Sequence, residues 1–195
     1  MYERKDYMER QQLLAAIKPR MPEKRYIHTQ GVMHTAIALA KRYDEDPSKA
    51  ETAAILHDMA KYEDVTKMED IIRRENLDLS VIGWGSELLH GPIAAYYAQT
   101  QFGITDQDVL NAIHYHTTGR AGMSKLEKII FVADMIEPSR NYPGVERLRN
   151  KAQKNLDKAM SACVRHSLRF LIDTKQPIFP LTLTCYNDIM NGENK

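Results

Sequence analysis

The chain has 195 residues, 43% of them apolar and 27% charged, enough to bury a sizeable core in one domain without disulfide or metal support. Its 27 Lys and Arg nearly balance 26 Asp and Glu, which excludes nucleic acid or an anionic membrane as the main partner of the molecule as a whole; any basic patch must be local. Its two distant cysteines, Cys163 and Cys185, make neither a disulfide framework nor a zinc motif, and the start, MYERKDYMERQQ, is charged from its third residue with no apolar run of about 18 residues anywhere, so a cytoplasmic protein with no signal peptide and no membrane span is expected.

Apolar residues recur at three- and four-residue spacing and alternating β-branched runs are missing, which predicts an all-α bundle. No repeat or low-complexity linker divides it, so residues 1–195 are read as a single domain, with a motif-bearing core at about 22–149 and C-terminal helices over 155–190 as scaffold. A first helix ends with Leu13, Leu14 and Ile17. Pro22 suits the first turn of a second, running through Val32, Ile37 and Leu39 to about Tyr43, and Pro47 opens a third, from Ser48 to about Ala60. A fourth spans roughly Val65 to Glu75. The stretch around Gly83 and Gly85 reads as irregular, and Pro92 restarts a helix, which leaves His90 at a break between helical pieces. Thr105 is placed as the cap of a helix through Val109, Leu110 and Ile113 that stops in His116-Thr117-Thr118-Gly119. Ser124-Lys125-Leu126-Glu127 is a capping box ahead of an apolar run that contains Asp134 and stops at Pro138. A long helix from about Leu156 to Asp173 and a short one after Pro180 complete the chain.

Polar residues interrupt this apolar pattern in core-facing places: His28 near the start of the second helix, His57 and Asp58 at the end of the third, and Asp134 inside the apolar run after the capping box. Singly, each has an ordinary explanation, a histidine bonded to a backbone carbonyl or Asp134 paired with Lys128. Jointly they point to metal, because imidazoles and carboxylates from facing helices are good ligands for divalent ions in a bundle core. Adjacent helical residues diverge by about 100°, which suits His57 serving one ion while both oxygens of Asp58 bridge two.

In order, His28, His57-Asp58, His90, His116 and Asp134 resemble the H…HD…H…H…D pattern of the HD-domain superfamily in its two-metal form. The runs RYIHTQGV, KAETAAILHDMAKY, LLHGPIAA and AIHYHTTGRAGMSKLEKIIFVADMIEPSR look like the bacterial YqeK group of that superfamily, hydrolases of symmetrical diadenosine tetraphosphate. The resemblance implies a helical HD fold and two divalent ions, iron above manganese, zinc or cobalt. One ion would be held by His28, His57, Asp58 and Asp134, the other by Asp58, His90 and His116. It also implies a hydroxide between the ions that splits the tetraphosphate into two ADP, with ADP or GDP as product-like ligands. His114 lies two residues from His116, but the HTTG context favours His116 as ligand; His34 and His166 have no counterpart in the pattern and are read as solvated or packing residues.

For substrate, Lys61 is the cation nearest Asp58 in sequence, Arg140 and, with less support, Arg25 offer guanidinium forks for phosphate, and Thr117 and Thr118 offer hydroxyls beside His116. Lys61 also fits a solvated lysine at a helix C-terminus, and the threonines fit a local helix-end turn. Tyr142 and Trp84 are read as packing rather than base-stacking residues. Self-association into a homodimer is compatible with such a bundle. Other HD-type phosphohydrolases or phosphodiesterases, and a nucleotide-binding regulator without turnover, are the competing readings, the last weakened by the complete ligand set.

Overall fold

Ten α-helices, and no strand among the described residues, make up the computed structural model, which describes residues 9–193. They are α1 Arg10–Ile17, α2 Glu23–Arg42, α3 Pro47–Leu56, α4 Val65–Arg74, α5 Ser86–Phe102, α6 Gln107–His114, α7 Lys125–Ile136, α8 Val145–Ala152, α9 Leu156–Asp173 and α10 Pro180–Glu193. The first eight residues of the charged N-terminal stretch lie outside the described residues. No helix among the described residues is long and apolar enough to cross a membrane.

Small side chains set the centre. Ala50, Ala53 and Ala54 of α3 are fully buried, so α3 lies close against α2 and also meets α5, α6 and α7. Asp46 caps α3 by accepting from the Ser48 amide, and Ser124 and Glu127 form the expected capping box on α7. With α2 and α7 also packed on each other, three helices present their inner faces to one volume.

Four boundaries differ from the sequence reading, each for a local reason. The third helix stops at Leu56 rather than near Ala60: the amides of Met59, Lys61 and Glu63 bond to carbonyls three residues back, at 3.2, 3.0 and 3.1 Å, so the chain tightens into turns straight after the helix. His90 stands inside α5, not at a break, because the helix runs through Pro92. Gly91 has no Cβ to clash with the proline ring, which lifts part of the restriction on a pre-proline residue, and a Cβ there would lie 2.5 Å from the His114 carbonyl oxygen. Asp106, not Thr105, caps α6, its carboxylate accepting from the amides of Asp108 and Val109.

The fourth difference is α8, which the sequence reading omitted. Its buried face is only Val145, Leu148 and Ala152, too short to stand out among charged neighbours. From this helix Arg149 donates to the carbonyls of Ile136, Glu137 and Arg140 at 2.9, 2.8 and 2.9 Å, satisfying the free C-terminal end of α7. Arg149→Ala should therefore lower stability by about 2 kcal/mol, seen as a reduced urea midpoint. An unchanged midpoint would show that these carbonyls are satisfied without it.

Candidate metal centre

His57 and His116 both follow a helix end, and both use it in the same way. His57 Nδ1 donates to the Ala54 carbonyl at 2.7 Å and His116 Nδ1 to the Ile113 carbonyl at 2.7 Å, each reaching back three residues. His90 Nδ1 donates to the Ser86 carbonyl one turn back in α5 at 2.9 Å, and His28 Nδ1 to Glu137 Oε1 at 2.9 Å. Carbonyl and carboxylate oxygens only accept, so the proton of each neutral ring sits on Nδ1 and each Nε2 carries a bare lone pair.

Those four lone pairs converge on Asp58, which is buried with all four rings. Oδ2 of Asp58 lies 3.3 Å from His57 Nε2 and 3.7 Å from His28 Nε2, while Oδ1 lies 3.3 Å from His90 Nε2 and 3.8 Å from His116 Nε2. The carboxylate thus turns one oxygen to each pair of imidazoles. His90 and His116 bring their Nε2 atoms within 2.9 Å of each other, and Asp134 Oδ1 stands 2.9 Å from His28 Nε2 and 4.0 Å from His57 Nε2. Despite these distances, Nε2 of His28 and of His57 are buried without an aligned hydrogen-bond partner.

Bare nitrogens and carboxylate oxygens pressed together repel unless a cation sits between them, so the donor set fits divalent metal. Two triads have their ligand atoms within 4.8 Å of one another: His28, His57 and Asp58, and Asp58, His90 and His116. Asp58 is common to both, and Asp134 sits beside the first. His114 is in neither; its ring lies 4.3 Å from that of Tyr115 at the end of α6.

The electrostatics agree. Burial pushes the Asp58 carboxyl up, but positive charge on the His57 and His90 rings outweighs burial and holds it well below the usual carboxylate range, while against burial Asp58 in turn raises His57; a divalent ion would supply that charge with the rings neutral. Asp134 is held low against burial by the neighbouring His28 ring and the Arg140 guanidinium. Burial, together with the His90 and His57 rings, drives His116 well below the ordinary histidine value, keeping its lone pair free.

The cations divide differently from expectation. Arg25 Nη1 donates to Asp58 Oδ2 at 2.9 Å, the most direct contact any arginine makes with the shared carboxylate, although its sequence signal is weak. Arg140 donates to the side chain of Asp134 at 2.7 Å and to its backbone carbonyl at 2.8 Å, so its fork is engaged by a candidate ligand. Asp134 is paired with Arg140 rather than with Lys128, which bonds Asp157. Lys61 bonds Glu87 in the first turn of α5 at 2.6 Å, one helical turn before His90. Thr117 Oγ1 is 3.1 Å from His116 Nε2 and 3.5 Å from His90 Nε2, whereas Thr118 is buried with no side-chain bond to the cluster.

Glu137 is the residue sequence reading missed. It is 1% exposed and accepts from His28 Nδ1, from the Ser139 amide at 2.7 Å and from the Ser139 hydroxyl at 2.5 Å, and these hydrogen bonds hold its carboxyl low against burial. It lies against α2 at Gly31, where any Cβ would collide with its Oε2. The signal was available: a carboxylate three residues after Asp134, between an apolar stripe and a proline, is costly unless partnered. The remaining histidines match their packing reading, His34 exposed and His166 stacked 4.7 Å from Tyr142, while Trp84 packs on Phe179.

Comparison with known proteins identifies the family. The family model described as HD domain matches residues 25–139. A symmetrical bis(5'-nucleosyl)-tetraphosphatase of Halalkalibacterium halodurans is 49% identical over 183 residues, covering 94% of this chain and 98% of that protein. One from Bacillus subtilis is 45% identical over 185 residues, covering 95% and 100%. A crystal structure from Clostridium acetobutylicum, described as a predicted HD-superfamily hydrolase involved in NAD metabolism, superposes with a TM-score of 0.91 at 39% identity, covering 95% of this chain and 99% of that one.

If Glu137 fixes the His28 ring, Glu137→Ala should weaken divalent-metal affinity about 10- to 100-fold in a calorimetric titration of metal-free protein. An unchanged affinity would show that His28 is oriented by something else.

Proposed function

The chain belongs to the HD-domain family and, within it, groups with the symmetrical bis(5'-nucleosyl)-tetraphosphatases; on that premise we propose that it hydrolyses diadenosine tetraphosphate to two ADP. The observation that carries the reading is Asp58, whose two oxygens face two separate pairs of imidazole lone pairs. One divalent ion is assigned to His28, His57, Asp58 and Asp134, the other to Asp58, His90 and His116. Iron is the proposed metal, with manganese, zinc and cobalt as the other ions this mixed nitrogen and oxygen set accepts. Bound there, such ions supply a water acidic enough to act as a nucleophile near neutral pH and neutralise polyphosphate charge.

The chain's own residues then set what reacts. Arg25 holds Asp58 by its Oδ2, so that one carboxylate oxygen faces each pair of imidazoles. Glu137 fixes the His28 tautomer, and the Ala54, Ser86 and Ile113 carbonyls fix those of His57, His90 and His116. Lys61, tethered by Glu87, offers an ammonium to the non-bridging phosphate oxygens, and Thr117 offers a hydroxyl beside His116. Thr118 and Arg140 complete the proposed substrate contacts, Arg140 while also bound to Asp134.

The symmetrical cleavage in the relatives' names sets the proposed product. Water oxygen bonds to one of the two inner phosphorus atoms, the bond from that phosphorus to the central bridging oxygen breaks, and the water proton passes to solvent. Each half leaves as ADP, a stable anion that needs no strong general acid. The buried free thiols of Cys163 and Cys185, with pKa values pushed up to about 12 and about 11 by burial, are consistent with a reducing cytoplasm.

Incubation of metal-loaded protein with diadenosine tetraphosphate should give ADP alone, resolved by anion-exchange chromatography; ATP plus AMP, or no turnover with any of the four metals, would overturn the proposal. Elemental analysis of protein purified without oxygen identifies the metal. Asp58→Ala should lose metal and activity together, the latter by at least about 100-fold, given that the activated water alone is worth several kcal/mol. Normal metal content with surviving activity would contradict the bridge.

A further inference from the structure

The near-neutral charge of the whole chain conceals a local imbalance. Residues 145–175, which span α8 and α9, carry eight of the 27 Lys and Arg but only three of the 26 Asp and Glu. Between these helices lies an open cavity of about 680 Å³ whose lining includes Arg147, Lys151, Lys158, Arg165 and Arg169. It shares no residue with the metal triads.

Cations elsewhere in the molecule are largely engaged: Arg25, Lys49, Lys61, Arg120, Lys128 and Arg140 all bond carboxylates. The five in the groove form no ion pair with any described residue, and the one acid lining it, Asp157, is bonded to Lys128. Five unneutralised cations held side by side repel one another, an arrangement that gains stability when an anion enters.

Their spacing defines that anion. On α9, Lys158, Ser161, Ala162, Arg165 and Arg169 recur at three- and four-residue steps and therefore share one face. Lys158 and Arg169 are eleven residues apart, so this row extends about 16 Å along the helix. Arg147 and Lys151, one turn apart on α8, form the opposite bank. A charged row of that length suits a chain of spaced phosphates better than a single terminal phosphate.

We propose that the α8–α9 groove binds single-stranded nucleic acid, with the five cations of its two banks tracking the phosphodiester backbone. Of the neutral polar side chains in the lining, Asn155 caps α9 and Ser161 is buried, so contact is with the backbone and binding is independent of sequence.

The test is fluorescence anisotropy of the intact chain with labelled twelve-nucleotide uridine RNA and thymidine DNA strands across a salt series. With five phosphates neutralised, log affinity should fall against log salt with a slope of about −3.5, roughly a hundredfold loss between 50 and 200 mM. Arg165→Gln with Arg169→Gln should reduce the slope to about −2, with the helical circular-dichroism signal retained. Similar binding of both strands places the contact on the shared backbone; preference for RNA places part of it on the 2'-hydroxyl, and either supports the proposal. No strand binding at 50 mM salt, an unchanged slope in the arginine variant, or equal competition by polyglutamate of matched charge would overturn it.

Discussion

Four imidazoles whose protons are all committed to Nδ1 acceptors leave four lone pairs aimed at one buried carboxylate. This is the constraint on which the rest depends. Such a cluster is costly to bury by itself, at several kcal/mol for an uncompensated polar or charged group, and it persists because the surrounding helices fix every member. The alanines of α3 bring that helix against α2 and carry His57 and Asp58 inward, and the tight turns after Leu56 let the two side chains diverge. Arg149 of α8 holds the end of α7, which positions Asp134 and Glu137 relative to α2.

The sequence was legible where one residue's chemistry was out of keeping with its surroundings. A His-Asp pair among alanines, an aspartate in an apolar stripe and a capping box ahead of it located the cluster and two of the helices that build it. It was less legible where the structural reason lies in a distant residue. Pro92 reads as a break unless one sees that Gly91 lies against the end of α6, and α8 reads as linker unless one sees its arginine reach three carbonyls of another segment. Arg25 illustrates the same limit: nothing in RYIHTQGV distinguishes an arginine that meets substrate from one that meets Asp58 across 33 residues. Thr118, similarly, sits in the expected turn but makes no side-chain bond to the cluster, while its neighbour Thr117 approaches it.

These contacts also decide the order in which the proposed reaction is assembled. Arg25 and Arg140, the two forks that sequence offers to phosphate, are both occupied by carboxylates of the cluster, and Lys61 is occupied by Glu87. Taking Asp58, Asp134 and Glu137 as ionised and the imidazoles as neutral, the bare centre carries more negative than positive charge, and a polyphosphate is repelled from it. Divalent ions held there would reverse that sign, since bound cations are the largest local charges in such a site. Arg25 and Arg140 hold the carboxylates in place, and a polyphosphate would be attracted only once cations occupied the centre.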